Sequence, residues 1–258
     1  GCNNFCTCCI VPYVRGRERS RSMEVIKKEV IDALNQGFKE ITLLGQNVDS
    51  WGKDWKDKNL RLGDLLRELN KLDYEFRIRF VTSYPTDITD ELIETSVKLD
   101  KVCEYFHIPM QSGDDYVLKK MNRRYDREQY SKIVNKIRDT FENVTITSDF
   151  IAGFPGETEE EYQETREFIR KVGYARIHVF PYSRREDTPA AVMPGQLTAA
   201  LKEQRARELI ALGNEVAASY LASWQGMETT VLLEDQEDGN WFGYTPEYIR
   251  VALSSDSE

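Results

Sequence analysis

The stretch VTITSDFIAGFPGETEEEYQETREFIRKVGYARIHVFPYS, residues 144–183, decides the fold. It opens with a run rich in β-branched residues, which suits a strand, and that run ends in the turn Gly153-Phe154-Pro155-Gly156. Residues 158–173 then have helical spacing and begin with a run of glutamates, which suits the positive end of a helix. A second strand-like run fills 174–183. Strand, helix, strand is the repeating unit of a parallel sheet.

The same alternation extends towards the N-terminus. Strand signals occur at 38–45, 77–83 and 102–110, and helical spacing at 22–37, 62–72, 87–99, 114–121 and 126–141. Gly37 stops the first helix, and Asp87 or Thr89 caps the third. About five strand–helix alternations predict parallel strands with right-handed helical crossovers, closed as a barrel or open as a sheet. Both architectures place ligands at the carboxyl ends of the strands. Those ends carry Gly45-Gln46-Asn47, Thr82-Ser83, Pro109 to Gly113, the 153–156 turn and Pro181-Tyr182-Ser183. A long helix is expected over 198–224. Two or three antiparallel strands are expected over 227–253, around Asp238-Gly239. The final SSDSE reads as a disordered end. Expected boundaries are a core at 1–196, a connecting helix at 197–223 and a small β module at 224–258.

The 258 residues are 40% apolar and 31% charged, ordinary values for a globular protein. No window approaches 18 uninterrupted apolar residues, so no membrane partner is expected, and the cytoplasm is the default location. A net charge of −9 argues against a protein that simply coats nucleic acid. Local basic clusters remain at Arg15, Arg17, Arg19 and Arg21, at Lys119, Lys120, Arg123 and Arg124, and at Arg184 and Arg185. Each reads either as part of a basic channel or as a solvated face.

Four of the five cysteines lie in the first nine residues, GCNNFCTCC. Cys2, Cys6 and Cys9 follow the spacing C-x3-C-x2-C. Three thiolates on one tight loop suit three irons of a 4Fe–4S cube, with the fourth iron left open. Structural zinc, the competing metal, prefers four closed ligands. Cys8 adjoins Cys9 and reads as a packing residue near the cluster; Cys103 reads as a buried small hydrophobe.

This cysteine loop ahead of a run of βα units resembles the radical S-adenosylmethionine (SAM) superfamily. More specifically, residues 1–22, 42–54, 107–125, 149–162 and 180–191 resemble the tRNA methylthiotransferases, in order and across nearly the whole chain. Most of that family has Tyr or Phe where Cys8 stands. The resemblance implies a partial (βα)6 TIM-like radical SAM barrel, its first strand missing, followed by a small all-β TRAM-like module that binds RNA. It implies a 4Fe–4S cluster held by Cys2, Cys6 and Cys9, whose open iron is chelated by SAM. One electron then cleaves SAM to a radical that takes hydrogen from the substrate. It also implies that Gly45, Gln46, Asn47, Ser83, Gln111, Ser112, Asp149, Gly153 and Arg124 bind SAM, with Gly113 allowing close approach and Arg124 alternatively meeting an RNA phosphate. Implied partners are the tRNA anticodon stem-loop and a one-electron donor such as flavodoxin or ferredoxin.

The implied reaction adds a methylthio group to carbon 2 of a hypermodified adenosine beside the anticodon. Residues 106–115, 178–183 and 243–251 favour the threonylcarbamoyladenosine branch, while residues 43–54 are similar to the isopentenyladenosine branch. A sister branch modifies a ribosomal protein, and a non-catalytic Fe–S RNA-binding module is the reading from a different class. In the family a further N-terminal domain holds a second 4Fe–4S cluster, so the chain is expected to be a piece of a longer enzyme. Tyr13, Tyr182, Trp241, Phe242 and Tyr244 are candidates for stacking on unpaired bases. His107 and His178 lie on expected strands and read as packing residues.

Overall fold

In the computed structural model, residues 1–254 are described. The elements run α1 (Val11–Val14), α2 (Met23–Asn35), β1 (Glu40–Leu44), α3 (Leu62–Asn70), β2 (Arg77–Val81), α4 (Asp90–Ser96), β3 (Tyr105–His107), α5 (Asp115–Lys120), α6 (Arg127–Thr140), β4 (Thr145–Ala152), α7 (Glu159–Val172) and β5 (Arg176–Pro181). The long helix α8 (Ala199–Ala222) then leads to β6 (Leu232–Glu237), β7 (Asn240–Tyr244) and β8 (Arg250–Ser254). Ser254 therefore ends a strand, and the rest of the SSDSE segment lies outside the described residues.

β1 pairs parallel with β2, β3 with β4, and β4 with β5. A parallel bridge between Ile78 and Val102 joins the two groups, through Ile78 N–H to Lys101 O at 2.6 Å and Cys103 N–H to Ile78 O at 2.9 Å. The result is five parallel strands in chain order, each followed by helix, as expected for a partial barrel. β3 is much shorter than the expected 102–110 run, because the regular ladder breaks after His107 and resumes only as a single parallel bridge between Gln111 and Phe150 of β4.

Local sequence explains the elements. On α3, Leu62, Leu65, Leu66 and Leu69 are buried at helical spacing and face the core. α7 starts with a capping box between Thr158 and Glu161 and stops at Gly173, which takes the left-handed conformation (φ 67°). Thr89, rather than Asp87, caps α4. On the sheet's outer face Phe106, Ile146 and Phe150 are buried against the helices. α8 approaches β5 closely, because a Cβ on Gly213 would stand 2.5 Å from Ile177 Cγ1.

The three C-terminal strands form an antiparallel sheet that covers the N-terminal end of the barrel. Its anchor is Arg79, a core arginine only 2% exposed. The guanidinium makes a two-pronged pair with Glu40, at 2.8 and 3.0 Å, and donates to Pro246 O at 2.8 Å. It also lies 4.4 Å from the centre of the Tyr248 ring, which stacks in turn on Tyr244. Arg77 donates to Tyr244 O at 2.8 Å.

Removing one partner of such a sealed pair leaves a bare buried charge. Arg79→Ala should lower unfolding stability by about 3–5 kcal/mol in urea titration. Arg79→Met combined with Glu40→Leu should recover most of that loss, since neither charge is then stranded.

Candidate functional site

The cysteine loop crosses the carboxyl ends of the strands. Thr7 N–H donates to Met121 O at 3.0 Å, and Ala190 N–H donates to Thr7 O at 2.9 Å. Cys2 N–H donates to Gly16 O at 3.1 Å, and Cys9 N–H closes a turn on Cys6 O at 3.0 Å. All five cysteines are free thiols. Burial pushes the Cys6 thiol up; Arg123 opposes this, and the charges of Cys9 and Cys2 add to it, so the three family-pattern thiols are electrostatic neighbours. Cys8 is a neighbour of the same group, with the charges of Cys6 and Cys9 acting on it, and it also packs near Val117, Met121, Phe154, Tyr182 and Ala190, where burial pushes its thiol up to about 11. Cys103 is buried in the core, where burial raises it to about 12.

Among the described residues, no three His, Cys, Asp or Glu side chains converge as a site for a single metal ion. A tetrahedral zinc with bonds of ~2.3 Å needs its sulfurs close together, whereas a four-iron cube takes thiolates at separate corners and accepts a wider triangle. Three soft thiols on one loop are the donor chemistry that a thiolate-held cluster takes.

Beside the loop, Asn47 and Asp49 form a polar knot after β1. Asn47 donates to Asp87, and Ser83 Oγ donates to Asp49 Oδ1 at 3.2 Å. Asn47 Oδ1 and Asp49 Oδ2 are sealed from water and have no partner. Burial pushes the Asp49 carboxyl up to about 7, against the pull of Ser83 and with the help of Asp87. Two sealed acceptors without donors suit an incoming ammonium group, the charge of an amino-acid head such as that of SAM. Gly45, exposed Gln46 and Asn47 also line a cavity of about 590 Å³ that runs along the outer edge of β1 to Gly1.

The other residues expected at the site divide between site and scaffold. Gln111 is buried in a left-handed conformation (φ 73°), and its N–H bonds to Asp149 O at 2.8 Å. Ser112 is spent on packing, with its hydroxyl 3.3 Å from Thr165 on α7. Gly113 is small for the same reason, since a Cβ there would stand 2.6 Å from Thr165 Cα. Gly153 (φ 74°) donates to Glu157, which Arg205 of α8 holds at 2.8 Å. Arg124 is exposed, whereas its neighbour Arg123 is half-buried with its guanidinium 5.6 Å from the centre of the Tyr84 ring. Of the stacking candidates, Tyr182 is buried against Phe154, while Tyr13 and Trp241 are exposed.

The sequence reading passed over one group. His107 stands between Thr147 Oγ1 at 2.9 Å and Asp149 Oδ2 at 3.2 Å, with the His178 ring 6.1 Å away. The alternation of β3 was its only signal in sequence, because residues 105 and 107 share the inward face.

A family model described as the Radical SAM superfamily matches residues 1–169. The tRNA-2-methylthio-N(6)-dimethylallyladenosine synthase of Clostridium botulinum (strain Loch Maree / Type A3) is 48% identical over 91% of this chain and 52% of its own length. The synthase of the same name from Alkaliphilus oremlandii (strain OhILAs) is 49% identical over 99% of this chain and 55% of its own. The chain therefore spans about half the length of the curated relatives it matches. Both names specify dimethylallyladenosine, so the preference for threonylcarbamoyladenosine finds no support in them. Among solved structures, coproporphyrinogen III oxidase from Escherichia coli, a radical SAM enzyme, has a TM-score of 0.58 at 18% identity, over 83% of this chain and 50% of that one. A radical SAM methyltransferase from Kitasatospora setae, solved with cobalamin and a 4Fe–4S cluster, has a TM-score of 0.62 at 16% identity, over 74% and 37%. At these identities the two structures speak for the fold alone.

Asp49 makes stability depend on pH. Its folded pKa of about 7 lies above the ordinary 3.8, so its contribution is complete below 3.8 and is lost as the pH rises through about 7. Asp49→Asn should gain stability relative to wild type as urea titrations move from about pH 5 to about pH 8, by a few kcal/mol at most.

Proposed function

This chain belongs to the radical SAM superfamily, and we propose that it forms the core of a tRNA methylthiotransferase acting on dimethylallyladenosine beside the anticodon. The observation that carries the reading is the placement of Cys2, Cys6 and Cys9 over the carboxyl ends of five parallel strands, next to sealed and unpartnered acceptors. The 48% identity to a synthase of that specificity supports the choice of base.

In this reading Cys2, Cys6 and Cys9 would hold a 4Fe–4S cluster beside bound SAM. When bound, the two would supply radical hydrogen-abstraction chemistry. The chain's own residues would bind and orient. Asn47 Oδ1 and Asp49 Oδ2 would accept from the SAM ammonium, with Ser83 fixing the Asp49 carboxyl. Gln111 turns the backbone at the end of β3, and the Gly153–Glu157 turn, locked by Arg205, shapes the adenosine side. His107 and Asp149 present polar edges to the lumen.

The exposed Tyr13, Arg15, Arg17 and Arg19 flank the cysteine loop. They give an acidic chain a local basic, aromatic face for RNA. The C-terminal sheet serves as a TRAM-like contact for the same RNA, and a small one-electron carrier such as flavodoxin or ferredoxin is the donor. We keep domain boundaries near 196 and 223, a division that the position of α8 (Ala199–Ala222) between barrel and sheet supports.

Anaerobic reconstitution tests the reading. The wild-type chain should take up about four irons with sulfide and, given dithionite, convert SAM to 5′-deoxyadenosine. Cys2→Ala, Cys6→Ala and Cys9→Ala should each abolish both properties, and Cys8→Ala should keep both. A wild-type chain that holds zinc and leaves SAM intact would overturn the reading.

A further inference from the structure

Three side chains on the inward face of β5 have no place in the SAM site. Residues 176, 178 and 180 alternate to one side of the strand. Ile177 points to the other side and packs under α8 at Gly213. Register with β4 sets Arg176 beside Thr147, His178 beside Asp149 and Phe180 beside Ile151. The row therefore runs from a cation at the foot of the strand, through an imidazole, to an aromatic ring at its carboxyl end. Phe180 is 53% exposed, and Arg176 is exposed as well. Among the described residues, Arg176 has no side-chain hydrogen bond or ion pair, and Phe180 has no ring contact. An aromatic ring left bare in a cleft keeps apolar area in water that a stacked base would remove.

The middle of the row is polar and has a direction. Ionised Asp149 only accepts, so His107 Nε2 donates to Asp149 Oδ2 at 3.2 Å. In the neutral ring Nδ1 then accepts, so Thr147 Oγ1 donates to it at 2.9 Å. One carboxylate oxygen is thereby held, and Asp149 Oδ1 is left without a partner among the described residues.

Resting on the proposed function, we propose that this row seats the unpaired nucleotide of the RNA. Phe180 stacks on the base, Asp149 Oδ1 accepts from an N–H or O–H of the nucleoside, and Arg176 meets the phosphate. The four steps from Arg176 to Phe180 span ~13 Å of strand, about the reach of one nucleotide from phosphate to base edge. SAM also carries an adenosine, so Phe180 and Asp149 alone would suit either molecule. It carries no phosphate, and the unpaired guanidinium of Arg176 therefore selects the RNA nucleotide. β5 pairs only with β4 among the described strands, so the nucleotide enters from the open flank. Its base then lies at the strand end that the cysteine loop crosses.

Anaerobic equilibrium dialysis on the reconstituted chain compares three probes: dimethylallyladenosine, its 5′-monophosphate and SAM. Wild type should hold the monophosphate about tenfold more tightly than the nucleoside. Arg176→Gln should erase that preference, and Arg176→Lys should keep most of it. Phe180→Ala should weaken nucleoside and monophosphate alike by about tenfold, with Phe180→Tyr near wild type. Both side chains are exposed, so neither substitution strips a buried contact. Equal weakening of SAM and the monophosphate in Phe180→Ala would assign the row to SAM and overturn the inference. A wild-type chain that cleaves SAM but holds the monophosphate no better than the nucleoside would also overturn it, and would leave the radical SAM reading standing. A chain that prefers the monophosphate and leaves SAM intact would do the reverse.

Discussion

Thr7 makes the bonds on which the site depends. The segment from Gly1 to Ile10 has no helix or strand of its own, so its position rests on what its backbone is bonded to. Thr7 bonds on one side to the turn after α5 and on the other to Ala190, beyond β5. Those two attachments come from opposite flanks of the β3–β4–β5 group, so the loop is drawn across the strand ends. Cys8 adds an apolar plug beneath it, against Phe154 and Tyr182 from the ends of β4 and β5. With the backbone held twice, Cys2, Cys6 and Cys9 stay on one loop, Cys6 buried in the core and Cys2 and Cys9 half-buried.

The wall below the loop differs from that of a filled barrel, whose interior is packed with layers of branched aliphatic side chains. Here the inward face of β3, β4 and β5 carries Tyr105, His107, Thr145, Thr147, Asp149, Arg176 and His178. Several bond to one another, as His107 does to Thr147 and Asp149, and Tyr105 to Thr147. Burial, with Arg176 beside it, depresses the His178 pKa and favours its neutral ring. Arg176 and Phe180 are exposed on the same face, so β5 fronts solvent where a closed barrel would cover it. A polar wall of this kind is inexpensive beside water and suits a cleft for a polar ligand.

Period and turn chemistry made the strand order and helix positions legible in the sequence, because each βα unit is specified locally. Residue 144–183 read correctly as strand, turn, capped helix and strand. Candidate site residues could be read only where chemistry was written into spacing, as in the cysteines, or into position, as in Asn47 and Ser83. Side-chain direction was the missing information. Ser112 and Gly113 stood at a strand end like true ligands, yet both serve the seat of α7. Arg123 and Arg124 were indistinguishable as letters; the left-handed Asn122 sends one inward and leaves the other in solvent. Asp49 gave no signal, because its carboxyl is unusual only once folding has buried it, with Asp87 nearby.

The C-terminal sheet sits at the opposite end of the barrel from the cysteines, and the length of α8 accounts for the separation. Its first turns lie beside Gly153, near the carboxyl end of β4, where the Lys202 stem fills the space a Cβ would take. Its last turns reach the start of β4, where Tyr220 and Thr145 share a hydroxyl bond at 2.6 Å. The 24 residues of α8 span ~36 Å at 1.5 Å per residue, enough to cover the height of the strands. Arg77 and Arg79 then fasten the sheet to the first residues of β2, so its place is set at both ends. A nucleic acid that touched both the basic cysteine face and this sheet would therefore have to lie along the barrel wall, not merely rest on its mouth. The buried Arg79–Glu40 pair gives that arrangement its rigidity, because swinging the sheet away would take the Tyr248 ring off the guanidinium and strip it of its carbonyl partners.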